Sequence, residues 1–192
     1  QLGWRGNKGE LNYIDKKILN KIIEISKFFE IELLFSVFND ESYKMLKKEG
    51  FKKFKIASRT VVENSKLVKK ILKEQDELII SLGMWDKKDI PIKNKKIKYL
   101  WCKSKYPTNI KDLKNFPSLF DKKKYYGYSD HCVGIEACLY AISKGAKIIE
   151  KHFTLNKQDQ TIRDHLLSAT PEEFKNLVNQ GRIISKIFDE LR

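Results

Sequence analysis

The stretch Gly127-Tyr128-Ser129-Asp130-His131 ends one apolar and aromatic run, and Ile149-Glu150-Lys151-His152-Phe153-Thr154 ends the next. In each stretch a histidine lies close to an acid, Asp130 or Glu150, at the end of a predicted strand. Catalytic side chains of α/β barrels lie at the carboxyl ends of their parallel strands. The two stretches therefore favour an α/β fold and an enzyme.

Short apolar runs alternate with segments of helical spacing along the chain. The predicted strands are brief, β-branched or aromatic, and bounded by turn residues: 31–38, 53–57, 77–82, 97–102, 125–129 and 146–152. Apolar residues at helical spacing predict helices at 15–29, 40–49, 64–73, 135–144 and 171–191. The link between Ser81 and Ile97 predicts no helix.

Strands that alternate with helices pair in parallel, which leaves a doubly wound sheet or a barrel. A doubly wound dinucleotide-binding sheet carries a glycine-rich turn after an early strand, and this chain has no Gly-x-Gly-x-x-Gly sequence. Small hydroxyl residues instead lie at almost every predicted strand end: Ser36, Ser58, Ser81, Ser104, Ser129 and Thr154. In a barrel such ends meet at one mouth, so we predict an α/β fold of the TIM (β/α)8 type.

The composition excludes several classes of protein. The 192 residues, 41% hydrophobic, are enough for one globular domain. The net charge of +14 suggests nucleic-acid binding, but only five of the 39 basic residues are arginine, the residue that contacts bases and phosphates through two hydrogen bonds. The sequence has no apolar stretch of membrane-helix length and no paired cysteine spacing, and we expect no signal peptide because its first residues form no apolar core. We therefore expect a cytoplasmic protein without nucleic-acid or membrane partners.

Six motifs follow one another in a specific order. They are Lys55-Ile56-Ala57-Ser58, Ser81-Leu82-Gly83-Met84, Cys102-Lys103-Ser104-Lys105-Tyr106-Pro107, the stretch 127–131, the stretch 145–155, and Asp164-His165 with Ser168 and Pro171. In order and spacing they resemble the N-acetylneuraminate (sialic acid) synthase family over residues 33–174. The block at 127–168 is the most specific part of the resemblance.

The resemblance implies a TIM barrel that condenses phosphoenolpyruvate with an N-acylated amino sugar, such as N-acetylmannosamine. The products would be a nine-carbon 2-keto sugar acid, used in surface glycans, and phosphate. The resemblance also implies that His131 and His152 hold a divalent metal, with Mn2+ expected and Mg2+ or Co2+ as alternatives. A metal with open coordination positions can polarise an aldehyde. A homodimer of the full-length protein is also implied.

The same resemblance assigns substrate contacts. Five side chains match positions around the phosphate and carboxylate of phosphoenolpyruvate: Lys55, Ser58, Ser81, Ser104 and Ser129. Tyr106 matches a position near the sugar, and Glu150 and Asp164 match there as the catalytic candidates.

The residue types support some of these assignments on their own. A lysine inside an apolar strand is costly unless it meets an anion, which favours a functional role for Lys55. A single strand-end histidine is more often structural than a ligand, but His131 and His152 have matching flanks at the ends of consecutive strands. His165 is left between a structural role and a role in the site.

Several positions depart from the family pattern. Val37 stands where a threonine that contacts phosphoenolpyruvate is usual, and Arg59-Thr60 stands where a glycine and an acid are usual. Leu82 replaces a small residue, and Ile162-Arg163 stands where a glycine is expected before Asp164. The acceptor sugar is therefore left open. The alternative functions are a non-catalytic relative that binds a sugar or phosphoenolpyruvate and, less favoured, a nucleic-acid-binding protein.

The family's opening strands and its C-terminal antifreeze-like domain have no counterpart before Leu11 or after Arg192. We therefore expect residues 1–192 to form a single synthase-type barrel domain that supplies strands three to eight. About six of eight strands cannot close a barrel. Since the missing opening motif carries an acid assigned to catalysis, we predict little synthase activity for the chain alone.

Overall fold

The computed structural model describes residues 14–159 and 163–192, and it divides into two compact units. The first unit comprises the residues up to Ile80 together with Asn94–Ile97, and the second comprises Ser81–Lys93 and Lys98–Arg192. The segment before Leu11, where we found no counterpart of the family's opening motif, and the departure at Ile162 lie outside the described residues.

The described part of the first unit contains parallel strands flanked by helices. The strands are β1 (Phe35–Ser36), β2 (Lys53–Ile56) and β3 (Glu77–Ser81), whose last residue belongs to the second unit. The helices are α1 (Lys16–Phe28), α2 (Asp40–Lys48), α3 (Ser58–Glu63) and α4 (Ser65–Glu74). β2 pairs with β1 on one side and with β3 on the other, which places Phe35, Phe54 and Leu78 side by side.

Three helices of this unit begin at a side chain that caps free backbone N–H groups. The side-chain oxygens of Asp15, Asn39 and Asn64 each accept a hydrogen bond from the N–H three residues further on, at 2.8, 2.8 and 3.2 Å. Such caps satisfy donors that the first helical turn leaves unpaired. The helices then bury one apolar face: Leu19, Tyr43, Leu46, Leu67, Val68 and Ile71.

The described part of the second unit repeats the pattern. Its strands are β4 (Ile97–Cys102), whose first residue belongs to the first unit, β5 (Gly127–Asp130) and β6 (Ile148–Lys151). Its α-helices are α5 (Glu136–Ser143) and α6 (Pro171–Glu190), and short 3-10 helices lie at Ile110–Asp112 and Arg163–His165. β5 pairs in parallel with β4 and β6.

The two faces of β5 have different surroundings because successive strand residues point to opposite sides. Tyr128 lies in an apolar cluster with Phe120 and Ala141, on the side of the sheet covered by α5. Ser129 and the residue after Asp130 therefore face the other side. The strand begins at a glycine because a Cβ at Gly127 would lie 2.0 Å from the carbonyl oxygen of Ile148.

The helices predicted from the sequence are confirmed to within one or two residues, and the link after β3 contains no helix, as expected. The strand predicted at 31–38 is wrong in length, because β1 spans only Phe35–Ser36 while Ile31 and Leu34 are exposed. The helix at Ser58–Glu63 was not predicted. Among the helices of the described residues, none is long and apolar enough to cross a membrane.

Candidate functional site

His131 follows β5 directly and is held at both its backbone and its ring. Its carbonyl oxygen accepts a hydrogen bond from the N–H of Thr108 at 2.8 Å, and its Nδ1 lies 2.8 Å from the carbonyl oxygen of Lys103. A carbonyl oxygen only accepts, so we assign the proton to Nδ1 and a free lone pair to Nε2. Burial lowers the pKa of His131, which keeps the ring neutral.

His152 follows β6 and lies beside His131, with ring centroids 5.3 Å apart. The ring of Tyr106 lies 4.1 Å from that of His131 and 6.2 Å from that of His152. His152 Nδ1 is 3.8 Å from Asp164 Oδ2. Burial lowers the pKa of His152 against the opposing charges of Asp164 and Glu150. The second ring is therefore neutral as well.

Polar side chains on β3, β5 and β6 add an acid and hydroxyl groups to this pair. The hydroxyl of Ser81 donates to Glu150 Oε2 at 3.2 Å. Ser129 and Glu150 are partners in the β5–β6 register, so their side chains lie on one face of the sheet. A Cβ at Gly83 would lie 2.4 Å from the Oγ of Ser104, which shows how closely these two segments approach.

The second unit thus holds most of the predicted site residues: Ser81, Ser104, Tyr106, Ser129, His131, Glu150, His152 and Asp164. Ring contacts connect Tyr106 with both histidines, and the charge of Glu150 acts on both rings. The resulting cluster contains two neutral imidazoles, two carboxylates, a phenol and several hydroxyl groups. It can bind a cation and accept protons from a bound substrate.

The two remaining predicted site residues, Lys55 and Ser58, belong to the first unit. Lys55 is 6% exposed, and its Nζ donates to the carbonyl oxygen of Ile56 at 3.2 Å. Ser58 is buried at the start of α3. Arg59, on the same helix, has a half-exposed side chain whose Nε lies 3.6 Å from Oε1 of Glu63.

His165 has contacts that support the loop after β6. Its Nδ1 lies 2.7 Å from the Oγ1 of Thr154, and its Nε2 lies 3.8 Å from Oδ2 of Asp159. Thr154 in turn accepts a hydrogen bond from the N–H of Asn156 at 3.1 Å. Of the two roles left open from the sequence, these contacts favour the structural one.

An ion pair that was not predicted from the sequence lies behind the histidines. Nζ of Lys151 lies 2.6 Å from Oδ2 of Asp130, and the two side chains are 1% and 0% exposed. Each residue stands immediately before one of the two histidines. That repeated position, with opposite charges, is the sequence signal that could have revealed the pair.

The model of the NeuB family matches residues 10–191. This chain belongs to the NeuB family. It is 37% identical over 186 residues to the N,N'-diacetyllegionaminic acid synthase of Campylobacter jejuni subsp. jejuni. The match covers 90% of this chain and 55% of that protein. It is 33% identical over 174 residues to the pseudaminic acid synthase of the same organism, with 85% and 50% coverage. The chain thus spans about half the length of these relatives.

The fold is similar to that of a solved member of this group. The crystal structure of the N-acetylneuraminic acid (sialic acid) synthetase from Leptospira borgpetersenii serovar Hardjo-bovis, in complex with citrate, matches with a TM-score of 0.74 and 28% identity. The match covers 91% of this chain and 64% of that chain. The predicted α/β fold of the TIM-barrel type and the predicted family are both confirmed.

The donor set was tested for its fit to a divalent metal. Within residues 14–159 and 163–192 there is no group of three or more His, Cys, Asp or Glu side chains placed to hold an ion. The site does provide two adjacent neutral imidazoles, and the ring of His131 is oriented by a backbone carbonyl. Such orientation of a ligand by its second nitrogen is usual in metal sites. The two imidazoles are thus the donors that the described residues offer to a divalent metal.

Proposed function

We propose that this chain provides the metal and acceptor site of a nonulosonic acid synthase. The reaction is a phosphoenolpyruvate-dependent transfer to an N-acylated amino sugar that gives a nine-carbon 2-keto sugar acid and phosphate. The observation that carries the proposal is the pair of neutral imidazoles of His131 and His152, placed beside Glu150. Family membership and the synthase relatives support it.

His131 and His152 would hold the divalent metal, with Mn2+ as the expected ion. A bound metal of this kind supplies Lewis-acid polarisation of the sugar aldehyde. The carbonyl of Lys103 keeps the His131 proton on Nδ1, so Nε2 is the nitrogen left for the cation. Because burial already favours neutral rings, little free energy is spent in deprotonating them.

Glu150 and Asp164 would handle protons and sugar hydroxyls. In the reaction, C3 of phosphoenolpyruvate bonds to the aldehyde carbon while water adds to C2. One proton of that water ends on the former aldehyde oxygen and the other leaves with the phosphate, so that C2 becomes a ketone. We assign to Glu150 the proton released by that water, because its carboxylate is already oriented by the hydroxyl of Ser81. We assign to Asp164, which lies next to His152, a hydrogen bond from a sugar hydroxyl.

Hydroxyl donors would bind the anionic substrate. Ser81, Ser104 and Ser129 lie in the same unit as the histidines and can donate to the carboxylate or phosphate of phosphoenolpyruvate. For Lys55 and Ser58, in the first unit, contact with phosphoenolpyruvate remains a prediction.

A chimaera tests the proposal. In it, this chain replaces the matching segment of the Campylobacter jejuni N,N'-diacetyllegionaminic acid synthase, so that the rest of that protein is present. The assay follows phosphate release from phosphoenolpyruvate with Mn2+ and a panel of N-acylated amino sugars. We expect sugar-dependent release that disappears in the His131→Ala chimaera.

The same assay decides the alternative function. Val37 is fully buried and apolar where the family pattern has a hydroxyl donor, which favours a relative that binds its ligands without turning them over. That alternative predicts binding of phosphoenolpyruvate with no phosphate release for any sugar of the panel. A folded chimaera with this behaviour would contradict the synthase proposal.

A further inference from the structure

A buried ion pair lies directly behind the two histidines. The side chains of Asp130 and Lys151 are almost completely excluded from solvent. Because strand residues alternate between faces, both point away from the side on which His131 and His152 lie. Burying two charges costs free energy that their attraction does not always return, so a pair of this kind calls for an explanation other than stability.

The carboxylate of Asp130 accepts four hydrogen bonds. Oδ1 accepts from the hydroxyl of Tyr128 at 2.6 Å and from the N–H of Cys132 at 2.9 Å. Oδ2 accepts from Lys151 at 2.6 Å and from the thiol of Cys138 at 3.3 Å. Burial acts to raise the pKa of Asp130, but the charge of Lys151 and the hydrogen bonds lower it overall. The group is therefore an ionised carboxylate with its acceptor positions filled.

The pair holds the backbone that follows His131 from two sides. The carboxylate of Asp130 accepts the N–H of Cys132, and the ammonium of Lys151 donates to the carbonyl oxygen of the same residue. The carbonyl of His131 is itself fixed by the N–H of Thr108. These bonds fix the backbone on both sides of the His131 side chain. The ring of His131 therefore points to the carbonyl oxygen of Lys103, which orients Nδ1.

The pair also fixes the register of β5 against β6. Asp130 and Lys151 are partners across the two strands, so the residues directly after them, His131 and His152, lie side by side. A slip of two residues would keep every side chain on its face but would move one imidazole about 6.6 Å along the strand. Metal–nitrogen bonds of about 2.1 Å cannot bridge that displacement.

We propose that Asp130 and Lys151 are positioning residues: together they set the β5–β6 register and the backbone at His131, so that both imidazoles meet one cation. The inference rests on the proposed metal site for its function. The positioning itself is a property of the metal-free chain.

The test uses the full 192-residue chain. Asp130→Asn keeps the shape of the side chain and removes its charge, and Lys151→Gln removes the other charge. We expect each variant to bind Mn2+ about 10- to 100-fold more weakly in an electron paramagnetic resonance titration, the usual cost of losing support behind a ligand. The double variant should bind Mn2+ no more weakly than whichever single variant has the lower affinity, because the two residues act as one unit.

Asp189→Asn is the matched control. It breaks the ion pair between Asp189 and Lys147, whose Nζ–Oδ1 distance is also 2.6 Å, in the same unit but with a largely exposed carboxylate. We expect its Mn2+ affinity to stay within about twofold of the wild type, as surface pairs contribute little.

Histidine-selective 15N NMR of the metal-free chain provides a readout that a merely stabilising ion pair would not move. We expect the Nδ1–H tautomer for His131 in the wild type and a mixture of tautomers in Asp130→Asn. If the wild type fails to bind Mn2+, the proposed metal site is refuted while the NMR spectra still decide the positioning. Should Asp130→Asn fail to fold, Lys151→Gln decides instead. Folded variants with wild-type Mn2+ affinity and unchanged His131 signals would overturn the proposal.

Discussion

The two units of the chain depart from the NeuB-family motifs at different kinds of position. In the first unit, Val37 and Arg59 stand where the family pattern has a threonine and a glycine. The second unit departs at Leu82 and at 162–163, but His131, Glu150 and His152 have the residue types that the pattern requires. Metal binding and proton transfer, which we assign to the second unit, can therefore be tested separately from the phosphoenolpyruvate contacts predicted for Lys55 and Ser58 in the first unit.

The surroundings of these residues show the same difference. Val37 is completely buried, and Arg59 forms an ion pair with Glu63 on an exposed helix surface. His131, in contrast, has both its ring and its carbonyl oxygen held by backbone groups. Side chains that are oriented before a ligand arrives lose less freedom on binding. We therefore expect substitutions in the second unit to have the larger effects.

The largest effect is expected for the ligands themselves. His131→Ala or His152→Ala should weaken Mn2+ binding by more than about 100-fold, since loss of a ligand exceeds the 10- to 100-fold cost of losing its support. Isothermal titration calorimetry on folded protein measures the change. His165→Ala is the control, because its ring contacts Thr154 and Asp159, and should leave the affinity unchanged. Equal losses of Mn2+ affinity in all three variants would show that His131 and His152 have no special role in binding the metal.

A smaller effect is expected in the first unit. Lys55→Met should reduce the affinity for phosphoenolpyruvate about 10- to 100-fold, because a charged hydrogen bond contributes about 1.5–3 kcal/mol. Mn2+ affinity should not change. Lys53→Met provides the comparison, since Lys53 lies two residues away on the same strand and pairs with Glu32 at the surface. A Lys55→Met chain that binds phosphoenolpyruvate normally would exclude this lysine from the site.

Replacing Val37 with the threonine of the family pattern should change phosphoenolpyruvate affinity and protein stability in opposite directions. Val37→Thr should strengthen phosphoenolpyruvate binding by up to about tenfold, the value of one neutral hydrogen bond, while burial of the new hydroxyl lowers stability by about 1–3 kcal/mol. Ligand titration and urea unfolding separate the two effects. Val68→Thr, at another buried valine of the first unit, should lose stability without gaining affinity. Matching affinities in both variants would show that Val37 lies away from the anion.

The smallest effects are expected at the helix caps. Thr170→Ala removes a capping box in which Thr170 and Glu173 each bond the other's backbone N–H, and it should cost about 1 kcal/mol of unfolding free energy. Asn64→Ala in the first unit removes a single cap bond and should cost less. Urea unfolding measures the loss of unfolding free energy in each variant. A larger loss for Asn64→Ala than for Thr170→Ala would show that the capping box is not the stronger cap.

Local sequence signals predicted most of the elements. The strand at Ile97–Cys102 was predicted at its exact bounds, and the last helix was predicted from its first residue, Pro171, to within one residue of its end. The strand predicted at 31–38 was too long because its length was judged from apolar residues, whereas β1 pairs with β2 through Phe35–Ser36 and the N–H of Val37. The helix Ser58–Glu63 was missed because its β-branched residues lower helix propensity.

The site residues that lie in sequence motifs could be predicted, whereas the contacts that depend on strand register could not. The pairing of His131 with His152 follows from two matching motifs at strand ends. The contact between Asp130 and Lys151 depends on which residues of β5 and β6 are partners, so their repeated position before the two histidines indicates an ion pair only once the histidines are taken to lie side by side. The contact of His131 Nδ1 with the carbonyl oxygen of Lys103 could not be predicted either, because every residue has a backbone carbonyl and the residue type does not show which one is used.

The proposed metal site can be tested by Mn2+ titration with electron paramagnetic resonance on the folded chain, with and without phosphoenolpyruvate. We predict one Mn2+ per chain, a spectrum that changes when phosphoenolpyruvate is added, and loss of the bound signal in the His131→Ala/His152→Ala variant. A folded chain that binds no Mn2+, or that binds it equally well without both histidines, would refute the proposed metal site.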